Sequence, residues 1–173
     1  MIISVEELKQ RITTDKPDEV LEEMLAGIET AIRSYTHNNF QHRAFRTVGT
    51  IEGEKLYLDV AMFKAGDTIQ ISESDYNAGL YVVSEVEGDE ITLSGAVDEQ
   101  DVLVTKIVYP PDVKIGAANM LKWDLENRPK VGVQSETISR HSVTYFDMSG
   151  DNSVMGYPKS LLGFLKPYHK ARF

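Results

Sequence analysis

The sequence predicts an α+β protein in which a small α-helical bundle is interrupted by an inserted small antiparallel β barrel or sandwich. Helical apolar spacing at residues 17–35 and 110–129 brackets a middle stretch of short β-type runs. That stretch also holds most of the negative charge. Residues 47–110 carry 13 acidic and 3 basic side chains, whereas the whole chain of 173 residues has a net charge of −9. Pattern and charge together divide the chain into three parts. Residues 1–46 begin a helical domain, 47–110 form an acidic β insert, and 111–173 complete the helical domain with an extended loop at 131–156.

Ile3-Ser4-Val5-Glu6-Glu7-Leu8 opens a short first helix, with capping-box spacing between Ser4 and Glu7 and a hydrophobic staple between Ile3 and Leu8. Pro17, Asp18 and Glu19 start a second helix, the acids lying at the positive end of its dipole. Val20, Leu21, Met24, Leu25, Ile28, Ala31, Ile32 and Tyr35 fall within about 140° of arc, with Glu22, Glu23, Glu29 and Arg33 opposite. Pro110, Pro111 and Pro129 bracket the third helix, on which the chain is organised. Its apolar positions Val113, Gly116, Ala117, Ala118, Met120, Leu121, Trp123 and Leu125 span roughly 220°. A surface helix needs an apolar stripe little wider than ~100°, so contact from two sides is expected, with Asn119, Lys122 and Glu126 wet. Asp124 lies inside the apolar arc and marks either a buried polar contact or a frayed last turn.

Between the helices, residues 48–51 and 56–60 flank the turn Glu52-Gly53-Glu54-Lys55. Ile69 and Ile71 alternate with polar residues, 80–83 and 91–93 flank a second turn at 87–90, and 102–109 is again β-rich. About six short strands at roughly ten-residue spacing indicate a small barrel or sandwich. Beyond the third helix, 133–146 is polar and β-leaning, with too few apolar side chains for a core. Residues 147–156 read as a mobile loop. Pro158 starts a last helix carrying Leu161, Leu162, Phe164 and Leu165, which Pro167 ends or kinks, leaving a basic tail.

Composition narrows the function. A hydrophobic content of 42% is that of a folded protein and argues against wholesale disorder. The absence of cysteine excludes disulfides, thiolate metal sites and a cysteine nucleophile. With no basic-then-apolar leader and no apolar run of membrane-spanning length, a soluble cytosolic protein is expected. An acidic domain repels phosphate, which makes it a poor nucleic-acid binder.

No residue pattern argues for catalysis or a cofactor. His37 and His42 match no common metal spacing. Asp98, Glu99 and Asp101 lack the glycine and distal glutamate of a calcium loop. Ser139, His141 and Ser142 offer nucleophile and base types, but neighbours on a strand point to opposite faces. Two stretches instead point to assembly. Segment 133–146 is β-capable and core-poor, suited to pairing with a neighbouring subunit. The C-terminal stretch sets Phe164, Tyr168 and Phe173 among basic residues, as interface anchors are.

The flanks, roughly residues 1–45 and 111–173, resemble the head–tail connector proteins of long-tailed bacteriophages and prophages. The resemblance rests on the short first helix, the second ending Ile32-Arg33-Ser34-Tyr35-Thr36, and the third. It also rests on Val133-Gln134-Ser135-Glu136-Thr137-Ile138-Ser139 leading into Ser142-Val143-Thr144-Tyr145, and on the closing Leu165-Lys166-Pro167-Tyr168. Compact members run directly from the second helix to the third. The 47–110 block departs from them and is similar to versions encoded by prophages of Gram-positive bacteria.

The resemblance implies a structural virion protein, neither enzyme nor cofactor-dependent, at the head–tail junction and assembled in the bacterial host cytoplasm without a membrane partner. It implies a ring of about twelve copies on the portal protein, formed after DNA packaging, that receives the next head-completion or stopper protein. DNA would pass through its tunnel without sequence-specific binding. Ser135, Glu136, Ile138, Arg140, Val143 and Tyr145 would meet neighbouring subunits or line the tunnel. Lys159, Phe164, Lys166, Tyr168, Lys170, Arg172 and Phe173 would face the portal, and the β insert would lie at the outer rim. On that division, cutting before Lys159 leaves the bundle mostly folded. The competing reading is a non-catalytic protein- or peptide-binding module whose acidic β barrel recognises a basic partner, through an apolar groove between Leu80 and Leu93.

Overall fold

The computed structural model describes residues 1–128, 135–138, 141–144 and 152–171, with residues 43, 60 and both strands at 135–144 described by main chain alone. The chain divides into two compact units, Met1–Ser4 with Asn38–Tyr109, and Val5–His37 with Pro110–Phe173.

In the first unit, seven strands make one antiparallel sheet. They are β1 (Gln41–Glu52), β2 (Lys55–Tyr57), β3 (Thr68–Ser72), β4 (Gly79–Val82), β5 (Val86–Glu87), β6 (Glu90–Thr92) and β7 (Glu99–Ile107), in the order β4-β3-β7-β1-β2-β6-β5. Gly53 and Gly88 take positive φ in the β1–β2 and β5–β6 turns, where a Cβ would be strained. Strand alternation gathers Ile51, Leu56, Ile69, Ile71, Ile91, Leu93, Val102 and Val104 into one buried cluster, joined by Phe63. Full burial of such a side chain stabilises by about 1.5–3 kcal/mol. At Gly49 a Cβ would stand 2.8 Å from Leu56 Cδ1 and 3.0 Å from the Tyr57 carbonyl oxygen, so glycine lets β2 close onto β1. A register shift between Gly49 and Ile51 faces Asp101, which has a positive φ of 58°. Lys106 donates to Asp67 (2.5 Å) and to the Met62 carbonyl (3.0 Å), tying β7 to the 3-10 turn Val60–Met62 and the loop after it.

Two expectations change here. The β region is one open sheet ending at β4 and β5, neither a closed barrel nor a two-sheet sandwich. The position 46/47 falls inside β1, because the polar run from Gln41 pairs with β7 and carries no apolar alternation to betray a strand. The N-terminal segment also contributes, since the Met1 ammonium donates to the buried Thr68 hydroxyl.

The second unit contains α1 (Val5–Lys9), α2 (Asp18–Thr36) and α3 (Pro111–Asn127). After them come the hairpins β8 (Ser135–Ile138) with β9 (His141–Thr144) and β10 (Ser153–Val154) with β11 (Tyr157–Pro158), then a 3-10 segment, Lys159–Tyr168. α2 buries Leu21, Leu25, Ile28 and Ile32 and ends where His37 takes the left-handed conformation, its N–H reaching the Arg33 and Ser34 carbonyls. Glu29, expected on the wet face, is only 6% exposed. The breadth of the apolar arc on α3 has its cause in packing: both α2 and the 3-10 segment contact it. Asn119, Lys122 and Glu126 are exposed, as their positions on the helix require.

The expected helical bundle is nonetheless corrected. The chain is α+β, but its helices do not form a bundle interrupted by a barrel. α1 has five residues, and the last element is 3-10 rather than α. Gly163 and Pro167 disfavour an α-helix there. The three-residue repeat stacks Leu162 on Leu165, and both are buried.

A Cβ on Gly116 would lie 2.1 Å from Phe164 Cζ, so the ring occupies the space of the missing side chain. Gly116→Ala is expected to expel that ring and destabilise by about 1–3 kcal/mol. In a Phe164→Ala background the same change becomes neutral or stabilises by up to ~1 kcal/mol through helix propensity. Urea unfolding of the four proteins measures this coupling; equal losses in both backgrounds would refute it.

Candidate functional site

Asp124 makes a buried polar contact and α3 continues past it. Its carboxylate, 11% exposed, accepts from Tyr157 Oη (2.5 Å) and Arg128 Nε (2.8 Å). The Arg128 guanidinium lies over Trp123 (5.3 Å) and Tyr157 (5.0 Å) and reaches the Gly156 carbonyl at 3.3 Å. Burial, and then the Asp124 carboxylate, push the Tyr157 phenol well above its usual range. This cluster fixes the β10–β11 hairpin to the end of α3 and so sets where the 3-10 segment begins. The sequence reading of 147–156 as loop missed the pairing of Ser153 with Pro158 and Val154 with Tyr157. Two-residue strands carry no periodic signal.

The proposed portal-facing residues fall into two groups. Lys159, Lys166 and Lys170 are exposed. Phe164 packs on Gly116, and Tyr168 donates to Asp112 Oδ1 (2.8 Å) and Oδ2 (2.9 Å) on the first turn of α3. These two aromatics act within their own unit. The Lys170 N–H also bonds the Thr36 carbonyl (2.8 Å), and His169 meets Tyr35 edge-on at 4.5 Å. Arg172 and Phe173 lie outside the described residues. The segment therefore belongs to the core, which overturns the expected harmless cut before Lys159. Truncation after Pro158 removes buried Leu162 and Leu165, costing about 3–6 kcal/mol against a typical total of 5–15. Circular dichroism and a lost cooperative transition would register that collapse; an undiminished transition would return the segment to the periphery.

Of the residues assigned to subunit contacts, Ser135, Glu136, Ile138 and Val143 sit on the β8–β9 hairpin. There Ser135 pairs with Thr144, Glu136 with Val143 and Ile138 with His141. Arg140 and Tyr145 lie outside the described residues, as does Ser139. Among the described residues neither outer edge of this hairpin pairs with another strand.

The acidic unit contains a polar cluster that sequence spacing did not reveal. Glu99 accepts from Ser74 Oγ (2.5 Å), the Asp75 N–H (2.6 Å) and Asn77 Nδ2 (2.7 Å). Buried Asn77 also exchanges bonds of 2.8 Å with both main-chain groups of Val97. Led by the Ser74 hydroxyl, these donors hold the Glu99 carboxyl at about 2, below the ordinary 4.5. Its role is to clamp the turn before β4. Asp98 likewise accepts from the Gly53 N–H (2.5 Å), and His42 stacks near Phe45 at 4.5 Å. Among the described residues no three His, Cys, Asp or Glu side chains converge for a metal, and no helix is long and apolar enough to cross a membrane.

A depressed carboxylate pKa gives stability that is full above the unfolded value and lost as pH falls through the folded one. The advantage of the native protein over Glu99→Gln should therefore shrink between pH 4.5 and about 2. Urea midpoints measured across that range test it, and a constant gap would remove the clamp.

No family model matches the chain, and no curated protein matches it either.

Proposed function

We propose that this protein is a head–tail connector of a long-tailed bacteriophage or prophage, a non-catalytic virion component. In this reading about twelve copies form a ring on the portal, receive the next head-completion protein and leave a tunnel for DNA. The observation that carries it is the β8–β9 hairpin, whose outer edges have no strand partner among the described residues. An isolated two-stranded hairpin is marginal in water, and a neighbour in a ring completes it by heterologous, head-to-tail pairing. The exposed Lys166 and Lys170 offer positive charge to the portal.

Electron microscopy of the protein mixed with its cognate portal oligomer tests the reading. A second ring stacked on the portal is expected. Reversing charge at Lys166 and Lys170 together should abolish stacking while the unfolding transition of the free protein stays in place. Absence of any complex at low and moderate salt would overturn the assignment.

A further inference from the structure

The sheet ends on two unlike edges. β5 is only two residues long, too short to template another strand, whereas β4 offers four residues that no other described strand covers. Immediately after β4, Val83 turns its polar groups inwards, donating to the Asp67 carbonyl (2.9 Å) and accepting from the Gly66 N–H (2.8 Å). By strand alternation, Leu80 and Val82 direct their main-chain N–H and C=O away from β3. Their side chains share the face opposite Ile69 and Ile71, and are 41% and 46% exposed. Edge strands are usually blunted by lysine, proline or a covering element; β4 has none of these among the described residues.

Charge says what would fit there. Glu73 and Asp75 precede the strand, Glu85 and Glu87 follow it, all four are exposed, and no basic side chain occurs between 73 and 87. Of the three lysines in this unit, Lys55 and Lys106 are held by Glu90 and Asp67, and exposed Lys64 stands in the turn that meets Val83, where Glu85 and Glu87 outnumber it. The Glu99 clamp fixes the preceding turn and leaves Tyr76 73% exposed three residues before β4.

We propose that the β4 edge is a docking site for an extended basic segment of a partner protein, added to the sheet as a further strand. Main-chain bonds to Leu80 and Val82 give it register, and alternate apolar side chains lie on those two residues. Lysines or arginines at its ends meet the paired carboxylates. Because both ends of β4 are acidic, either strand direction satisfies the charges, while an acidic segment is repelled. The site is independent of ring formation, since it uses only the sheet unit.

The test is amide chemical-shift mapping on the full chain, titrated with a capped peptide alternating lysine and valine and with a glutamate–valine counterpart. The lysine peptide should shift the amides of residues 79–83 saturably, and the glutamate peptide should not. Leu80→Pro removes an outward N–H without breaking the ladder to β3 and should eliminate those shifts. The combined variant E73Q/D75N/E85Q/E87Q keeps the strand and should weaken binding roughly tenfold. Binding that ignores both variants, equal binding of the acidic peptide, or shifts confined to other elements would overturn the proposal. So would movement of the β4 amides on simple dilution, which would make the occupant a second copy of this chain.

Discussion

The antiparallel pairing of β1 with β7 is the constraint from which the chain's organisation follows. These are the first and last long strands of the sheet, yet they lie side by side at its centre. Their pairing brings the entrance and exit of the excursion together. There the Val108 N–H bonds the Phe40 carbonyl at 3.0 Å and the rings of Phe40 and Tyr109 meet at 4.9 Å. A chain that leaves α2 at His37 can thus return at Pro110 to build α3 into the same unit as α2. Every other strand is added outward from this pair: β3 and β4 on one side, and β2, β6 and β5 on the other.

The second unit depends on α3 in a comparable way. Its small residues permit close approach, and Phe164 uses the opening at Gly116. Its polar ends are fastened by tyrosines from the C-terminal region, Tyr168 on Asp112 and Tyr157 on Asp124. A ten-residue 3-10 segment with a proline inside it would have little stability alone. It is ordered by burying Leu162 and Leu165 and by these two anchors. The same residues that look like a detachable docking arm in the sequence are therefore part of the framework.

Each unit has strands with an edge that no other described strand pairs with, the β8–β9 hairpin and β4, and the two differ in physical character. The hairpin comes from a stretch of sequence with few apolar residues. β4 belongs to a sheet that is already well packed without an occupant. Its acidic flanks instead select by charge.

Much was legible in the sequence where a periodic apolar signal is long. The faces of α2 and α3, the two-sided burial of α3 and the core alternation at Ile69 and Ile71 were all readable, as were the turns at Gly53 and Gly88. Residues whose state depends on distant partners were not readable. The polar start of β1 becomes strand because β7 offers it a ladder, and Glu29 is buried despite its place on the polar face. Glu99 is a clamp because Ser74, Asp75 and Asn77 are folded onto it. The candidate assembly residues were legible only as a polar, core-poor stretch, since main-chain edges leave no mark in side-chain pattern. Sequence by itself determined which faces must be buried, because hydrophobic transfer follows local periodicity. Tertiary structure alone decided that the strands stay one open sheet and that the C-terminal segment joins the core. Closure, register and long-range hydrogen bonds depend on contacts that no local window contains.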